Sequence, residues 1–334
     1  MLSLYPDIEP FSHYHLTMGS DNSTDELMGE KSALKHKIYI EQCGNPSGIP
    51  VVFLHGGPGS GCRPSHRCFF DPKRYHIILF DQRGCGRSEP CGSLAENTTT
   101  HIIQDMEVIR KHIGIDKWLV FGGSWGATLG LYYAKHFPAR ILGLILRGVF
   151  LARQQDIDWV YSNKGAAKVF PEAWDNLVNT LPLLQQNKPL TTLYQQLTNK
   201  NSSISNATFN KIQHWEASLI YWQNSLSVDE TSKEINAIKE DDKAASIIQL
   251  YYSMNQCFIG QEPLLENLAS IEHIPTKIIH GRHDMVCPVE QACLLKTHFP
   301  KAELSIIEMA GHVANEPKII NALIKATNDF AQRN

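Results

Sequence analysis

Continuous apolar runs recur around Val52, Ile78, Val120, Ile145, Ile279 and Ile306, and Lys37–Glu41 alternates apolar and polar positions. Short runs of this kind predict strands, and their unbroken apolar character predicts strands covered on both faces. Most are followed by a loop or a helical-looking stretch, the rhythm of a mainly parallel sheet with helices on either side. Between about Leu151 and Ser270 that rhythm stops. The stretch has mixed polarity and few β-branched runs, and Trp159, Trp174, Trp215 and Trp222 fall in or beside its helical-looking parts. Because strands resume after it, the pattern predicts an α/β domain, 1–150 and 271–334, interrupted by a helical cap at 151–270. The polar, turn-rich stretch from Gly19 to Glu26 reads as an exposed insertion near the first strand.

Composition narrows the class. With 334 residues, 43% of them apolar, the chain can bury a large core. A formal net charge of −3 leaves no electrostatic footprint for nucleic acid or an anionic membrane. No segment reaches the roughly 18 consecutive apolar residues of a membrane span, and the N-terminus lacks the basic and apolar regions of a secretion signal. A cytoplasmic enzyme is expected, and its eight scattered cysteines are expected as reduced thiols.

The candidate chemistry centres on Gly122-Gly123-Ser124-Trp125-Gly126, which lies between the apolar run ending at Phe121 and a helical run from Ala127. Strand, G-x-S-x-G, helix is the order of a nucleophile elbow, in which glycines let the chain turn tightly enough to present a serine Oγ. A Gly/Ser loop joining strand to helix is the plain alternative. A serine hydroxyl also needs a base, a group to orient the base, and donors for the developing oxyanion. Asp284, after the run at Ile279, and His312, after the run at Ile306, follow Ser124 in the required order. The backbone N–H groups of Trp125 and of Gly57, in the glycine-rich stretch His55–Gly59, are the expected oxyanion donors. A phosphate-binding loop is the competing reading of His55–Gly61, but Cys62-Arg63 stands where Lys-Ser/Thr would complete it. His280, His283 and Asp284 could be drawn as a metal cluster, yet a strand end would not point all three one way. Serine chemistry needs no metal, and no cofactor is expected. Cys287 lies three residues past Asp284, in a loop expected near the same site.

Taken together, His55-Gly56-Gly57-Pro58-Gly59, Asp81-Gln82-Arg83-Gly84-Cys85-Gly86-Arg87-Ser88, Gly122-Gly123-Ser124-Trp125-Gly126, Arg282-His283-Asp284 and Ala310-Gly311-His312 resemble the prolyl aminopeptidases, or proline iminopeptidases. These are serine peptidases of the α/β-hydrolase fold. The likeness extends to Leu4–Pro10, Glu41–Pro46 and Arg147–Phe150, and so covers most of the chain. It implies catalysis by Ser124, Asp284 and His312 and short peptides with a free N-terminus as substrates.

The resemblance also implies a cap that holds the substrate ammonium with carboxylates, since a buried cation needs a charged partner. Glu216 matches one of them. Gln249 stands where the second is expected, Phe150 keeps an aromatic that contacts the proline ring, and Val160 and Ser253 replace two others. An amide accepts a hydrogen bond from an ammonium but supplies no charge. The departures imply a roomier pocket and a looser preference for proline. A carboxylesterase using the same three residues, and a non-catalytic binding member of the fold, remain the alternatives.

Overall fold

The structure, a computed structural model, describes residues 1–18, 35–221 and 239–333. The polar stretch at 19–26 and Trp222 lie outside them. The described residues form an eight-stranded sheet in the order β1-β2-β4-β3-β5-β6-β7-β8. Its strands are β1 (Ser12–Met18), β2 (His36–Gly44), β3 (Ile49–Leu54), β4 (Tyr75–Phe80), β5 (Trp118–Gly123), β6 (Ile141–Arg147), β7 (Thr276–Gly281) and β8 (Glu303–Ile307). From β4 to β8 the neighbours run parallel, while β1 and β2 form an antiparallel edge.

Side chains of successive strand residues point to opposite faces, and the two cores divide accordingly. Val52, Leu54, Ile78, Val120 and Leu146 pack with helices α1 (Thr99–Ile113) and α2 (Trp125–His136) on one face. Val51, Phe53, Ile77, Leu79, Leu119 and Phe121 pack on the other with Ile319, Leu323 and Phe330 of the C-terminal helix at 317–333. Burial on both sides is why β4 and β5 are apolar or aromatic throughout, with His76 the single exception. Helix α1 starts at the Thr98 cap, whose hydroxyl faces the His101 N–H, and stops where Gly114 turns left-handed at φ 80°.

One strand was not foreshadowed by the apolar runs. β1 alternates exposed His13, His15 and Thr17 with partly buried Tyr14 and Leu16. It is an edge strand with one wet face, and only its alternate residues contribute to the core.

Between β6 and β7 the described chain forms helices and turns. They are α3 (Gln154–Tyr161), α4 (Pro171–Val178), α5 (Leu190–Leu197), α6 (Ser202–Ile220) and α7 (Glu240–Met254). Their apolar faces meet in a separate core of Trp174, Leu177, Leu193, Phe209, Ile212 and Trp215. The Trp174 and Trp215 rings lie edge to face at 5.3 Å, and the buried Trp215 indole donates to the Val160 carbonyl at 3.1 Å. Helices α8 (Glu290–His298) and α9 (Pro317–Arg333) complete the chain.

Candidate active site

Ser124 sits between β5 and α2 with φ 57° and ψ −123°, a region costly to any residue but glycine, by roughly 1–3 kcal/mol. Its neighbours explain how the turn is held. A Cβ on Gly122 would lie 2.2 Å from the Gly126 carbonyl, and one on Gly126 only 2.1 Å from that of Leu54. The strand, the turn and the start of α2 therefore approach so closely that side chains are excluded. The Ser124 N–H donates to the Arg147 carbonyl at 2.8 Å, tying the turn to β6.

His312 and Asp284 come together from the loops after β8 and β7. The imidazole Nδ1 lies 2.8 Å from Asp284 Oδ2, and Asp284 Oδ1 accepts from the N–H groups of Val286 and Cys287 at 3.0 and 2.8 Å. Burial alone would raise the Asp284 pKa. The charges of His312 and His280, with the hydrogen bonds from His312 and the Cys287 N–H, outweigh it and hold the carboxyl below its ordinary range. It thus stays ionised beside His312, able to fix the tautomer with its proton on Nδ1. The pair packs on the Gly148 backbone, where a Cβ would stand 3.3 Å from Asp284 Oδ2 and 3.4 Å from the imidazole.

Two residues, His280 and Arg147, support the pair in a way that the sequence does not indicate. His280 accepts from the Val149 N–H at its Nδ1, 3.0 Å away, so its proton is on Nε2 and donates to the Cys287 carbonyl at 2.7 Å. The buried ring thereby links the end of β6 to the Asp284 loop. Arg147 donates from Nη1 to the His312 carbonyl at 2.5 Å and lines the same cavity as Ser124. Burial lowers the Arg147 pKa, opposed chiefly by the charge of Asp284 and less by that of Glu316.

The stretch His55–Gly61 lies against the serine turn, since a Cβ on Gly56 would stand 3.7 Å from Ser124 Cβ. Gln82 ties three loops together. Its N–H donates to His55 Nε2, its amide donates to the His55 carbonyl, and its Oε1 accepts from the buried Trp125 indole at 2.9 Å. Below the loop, Asp81 accepts from the Cys62 N–H at 2.6 Å and from Arg87 Nε at 2.7 Å. Gly57, at φ 110°, and Trp125, the first residue of α2, are both part of this junction. The N–H of a first helical residue has no partner within its helix and is free for another acceptor.

Ser124 and His312 share a cavity of about 370 Å³ with Gly57, Phe150, Val160, Glu216, Gln249 and Ser253, so the cap residues singled out above meet the serine turn. Gln249 Nε2 donates to Glu216 Oε1 at 2.7 Å and to the Tyr161 hydroxyl at 3.0 Å. Burial pushes the Glu216 carboxyl up to about 7 despite those hydrogen bonds, which pull the other way. Tyr161 was not expected from the sequence; it sits at the end of α3, far along the chain from α6 and α7.

The imagined grouping of His280, His283 and Asp284 as metal ligands does not appear. Among the described residues, the group with ligand atoms close enough for a metal is Asp284, Cys287 and His312. All eight cysteines are free. No helix of the described residues is long and apolar enough to cross a membrane.

Residues 49–318 match the model of the α/β-hydrolase fold family. A probable proline iminopeptidase of Leptolyngbya boryana is 42% identical over 99% of this chain and 97% of its own length. The proline iminopeptidase of Xanthomonas citri is 39% identical over 99% and 100%. The crystal structure of proline iminopeptidase from Mycobacterium smegmatis superimposes with a TM-score of 0.55 at 17% identity, covering 89% of this chain and 96% of that one, which speaks for the fold alone. The match of fold model, full-length identity and motif order places the chain in the α/β-hydrolase fold family and, within it, among the proline iminopeptidases.

Proposed function

We propose that the protein is a serine exopeptidase that releases an N-terminal residue, preferentially proline, from short peptides through an acyl-enzyme on Ser124. The observation that carries this reading is the shared cavity. It holds a serine on a strained turn, a histidine paired with a buried carboxylate, and a separate carboxylate, Glu216, in its lining.

In this mechanism Ser124 Oγ attacks the carbonyl carbon of the first residue while His312 Nε2 takes the hydroxyl proton. Asp284 steadies the imidazolium that results. The N–H groups of Gly57 and Trp125 receive the oxyanion, and collapse of the tetrahedral intermediate passes the proton from His312 to the leaving amine. Water, deprotonated by the same imidazole, then frees the amino acid from Ser124. Glu216 holds the substrate ammonium, and Phe150 packs on the ring of an N-terminal proline.

Residues 151–270 act as the cap in this reading, and their role is to set the length of substrate upstream of the scissile bond. A residue preceding the first would have to occupy the space beside Glu216 of α6 and Gln249 of α7, which line the cavity, and this supports an exopeptidase. The eight free thiols support action in the cytoplasm. A carboxylesterase is the second reading, favoured by one observation, the neutral Gln249 beside Glu216. Rates on prolyl, alanyl and N-blocked prolyl amides and on a short-chain ester separate the two. The peptidase reading requires the free prolyl amide to be the best amide substrate; an enzyme that cleaves the ester alone is an esterase.

A further inference from the structure

The sulfur of Cys287 has no part in the mechanism above, yet it lies beside it. One ligand atom each from Asp284, Cys287 and His312 fall within 4.8 Å of one another. We propose that these three residues form a binding site for a thiophilic divalent cation, of which Zn²⁺ is the probe, and that filling it stops hydrolysis. The second half rests on the reading of His312 as the base.

The donor set selects the ion. A thiolate with an imidazole and a carboxylate suits Zn²⁺, whereas Mg²⁺ and Ca²⁺ take oxygen ligands. Around zinc, bonds of about 2.0–2.3 Å put ligand atoms some 3.3–3.7 Å apart, so the most widely separated atoms must close by up to about an ångström, and an ion on His312 Nδ1 must part it from Asp284 Oδ2. Cys287 and His312 both line the cavity, which provides the route of entry. Ser124 lines the same cavity as Cys287 and His312, so its hydroxyl, or a water, is available for the remaining position.

Charge sets a cost that the ion must overcome. Burial and the neighbouring Asp284 charge push the Cys287 thiol well above its ordinary value, and Arg147 opposes them only in part. The empty site therefore holds a thiol and one carboxylate. A bound Zn²⁺ displaces the thiol proton to solvent, and the two anionic ligands then neutralise the ion; no electron is transferred. If zinc takes His312 Nε2, it occupies the lone pair that would accept the Ser124 proton. If it takes Nδ1, the ring proton must move to Nε2, with the same loss of the base.

Calorimetric titration of the whole protein with Zn²⁺ tests the site without any substrate. One ion per chain is expected, with release of the thiol proton, read in two buffers of different ionisation enthalpy. Cys287→Ser, close in volume, should weaken binding by at least about a hundredfold. Zinc should abolish hydrolysis of a prolyl amide at saturation, a chelator should restore it, and millimolar Mg²⁺ should leave it unchanged. No saturable binding, no proton release, or equal affinity in Cys287→Ser overturns the site. Full hydrolysis by the zinc-saturated protein overturns the inhibition. A protein that binds zinc as expected but never cleaves a prolyl amide keeps the site and loses the peptidase reading instead.

Discussion

Gln249 donates to Glu216 across 2.7 Å, and the same amide nitrogen also donates to Tyr161 at 3.0 Å. Both of its protons are therefore spent on the cap wall, and only its Oε1 is left to accept from a substrate. Glu216 is then the one carboxylate of this pair; the other carboxylate lining this part of the cavity, Asp156, is already paired with Arg153 at 2.7 Å.

The pH dependence follows from that environment. An acid whose pKa is raised stays protonated to higher pH, so Glu216, at about 7, loses its charge as pH falls through neutrality. For free-amine substrates kcat/KM should therefore fall on the acid side of pH 7 more steeply than for an N-blocked amide or an ester, neither of which needs the Glu216 charge. The ratio of the two profiles isolates Glu216. Bound ammonium favours the carboxylate, so the corresponding limb of kcat should lie at lower pH than that of kcat/KM. Superimposable profiles for charged and blocked substrates would remove Glu216 from ammonium binding.

Glu216→Gln would leave a desolvated ammonium without a counter-charge, at a cost of roughly 2–4 kcal/mol, or about thirty- to a thousandfold in kcat/KM for free-amine substrates. Steady-state kinetics on prolyl amides and a short-chain ester checks this. Ester turnover should change little. An equal loss on both would make the glutamate structural and favour the esterase.

Gln249→Glu would put a second carboxylate beside the first. Above the coupled titration of the pair, prolyl amide kcat/KM should rise relative to the ester, because an ammonium meets two charges. A fall in that ratio at alkaline pH would show that the amide donor, and not the missing charge, matters here.

Gly126→Ala tests the geometry of the serine turn. Its Cβ would stand 2.1 Å from the Leu54 carbonyl, backbone that cannot swing aside as a side chain would. Denaturant unfolding should register a loss of about 1–3 kcal/mol or more, with activity falling as the turn shifts. Wild-type stability and turnover in this variant would mean that β3 and α2 are not so closely apposed.

Much of this site can be read along the chain because its parts are local. An apolar run, two glycines, a serine and a helix make the turn at Ser124, and strand ends carry Asp284 and His312. What escapes a linear reading are the pairings. Gln82 reaches both His55 and Trp125, Arg147 reaches His312 across 165 positions, and His280 holds Val149. Each of these is a polar residue at the end of an apolar run, with nothing local to mark its partner. β1 was missed for a related reason: an edge strand with His and Thr outward has no apolar run to show. In the cap, helices α3, α6 and α7 bring Tyr161, Glu216 and Gln249 together, so the Glu216–Gln249 contact depends on packing that no spacing reveals.

The most direct test is chemical quenching of the protein during turnover of an activated prolyl ester, followed by mass analysis of its peptides. A mass increase of one prolyl residue on the peptide carrying Ser124, absent from Ser124→Ala, is the predicted result, together with a fall in prolyl amide turnover of several orders of magnitude in that variant. Label on another residue, or near-normal turnover by a folded Ser124→Ala protein, would contradict the account.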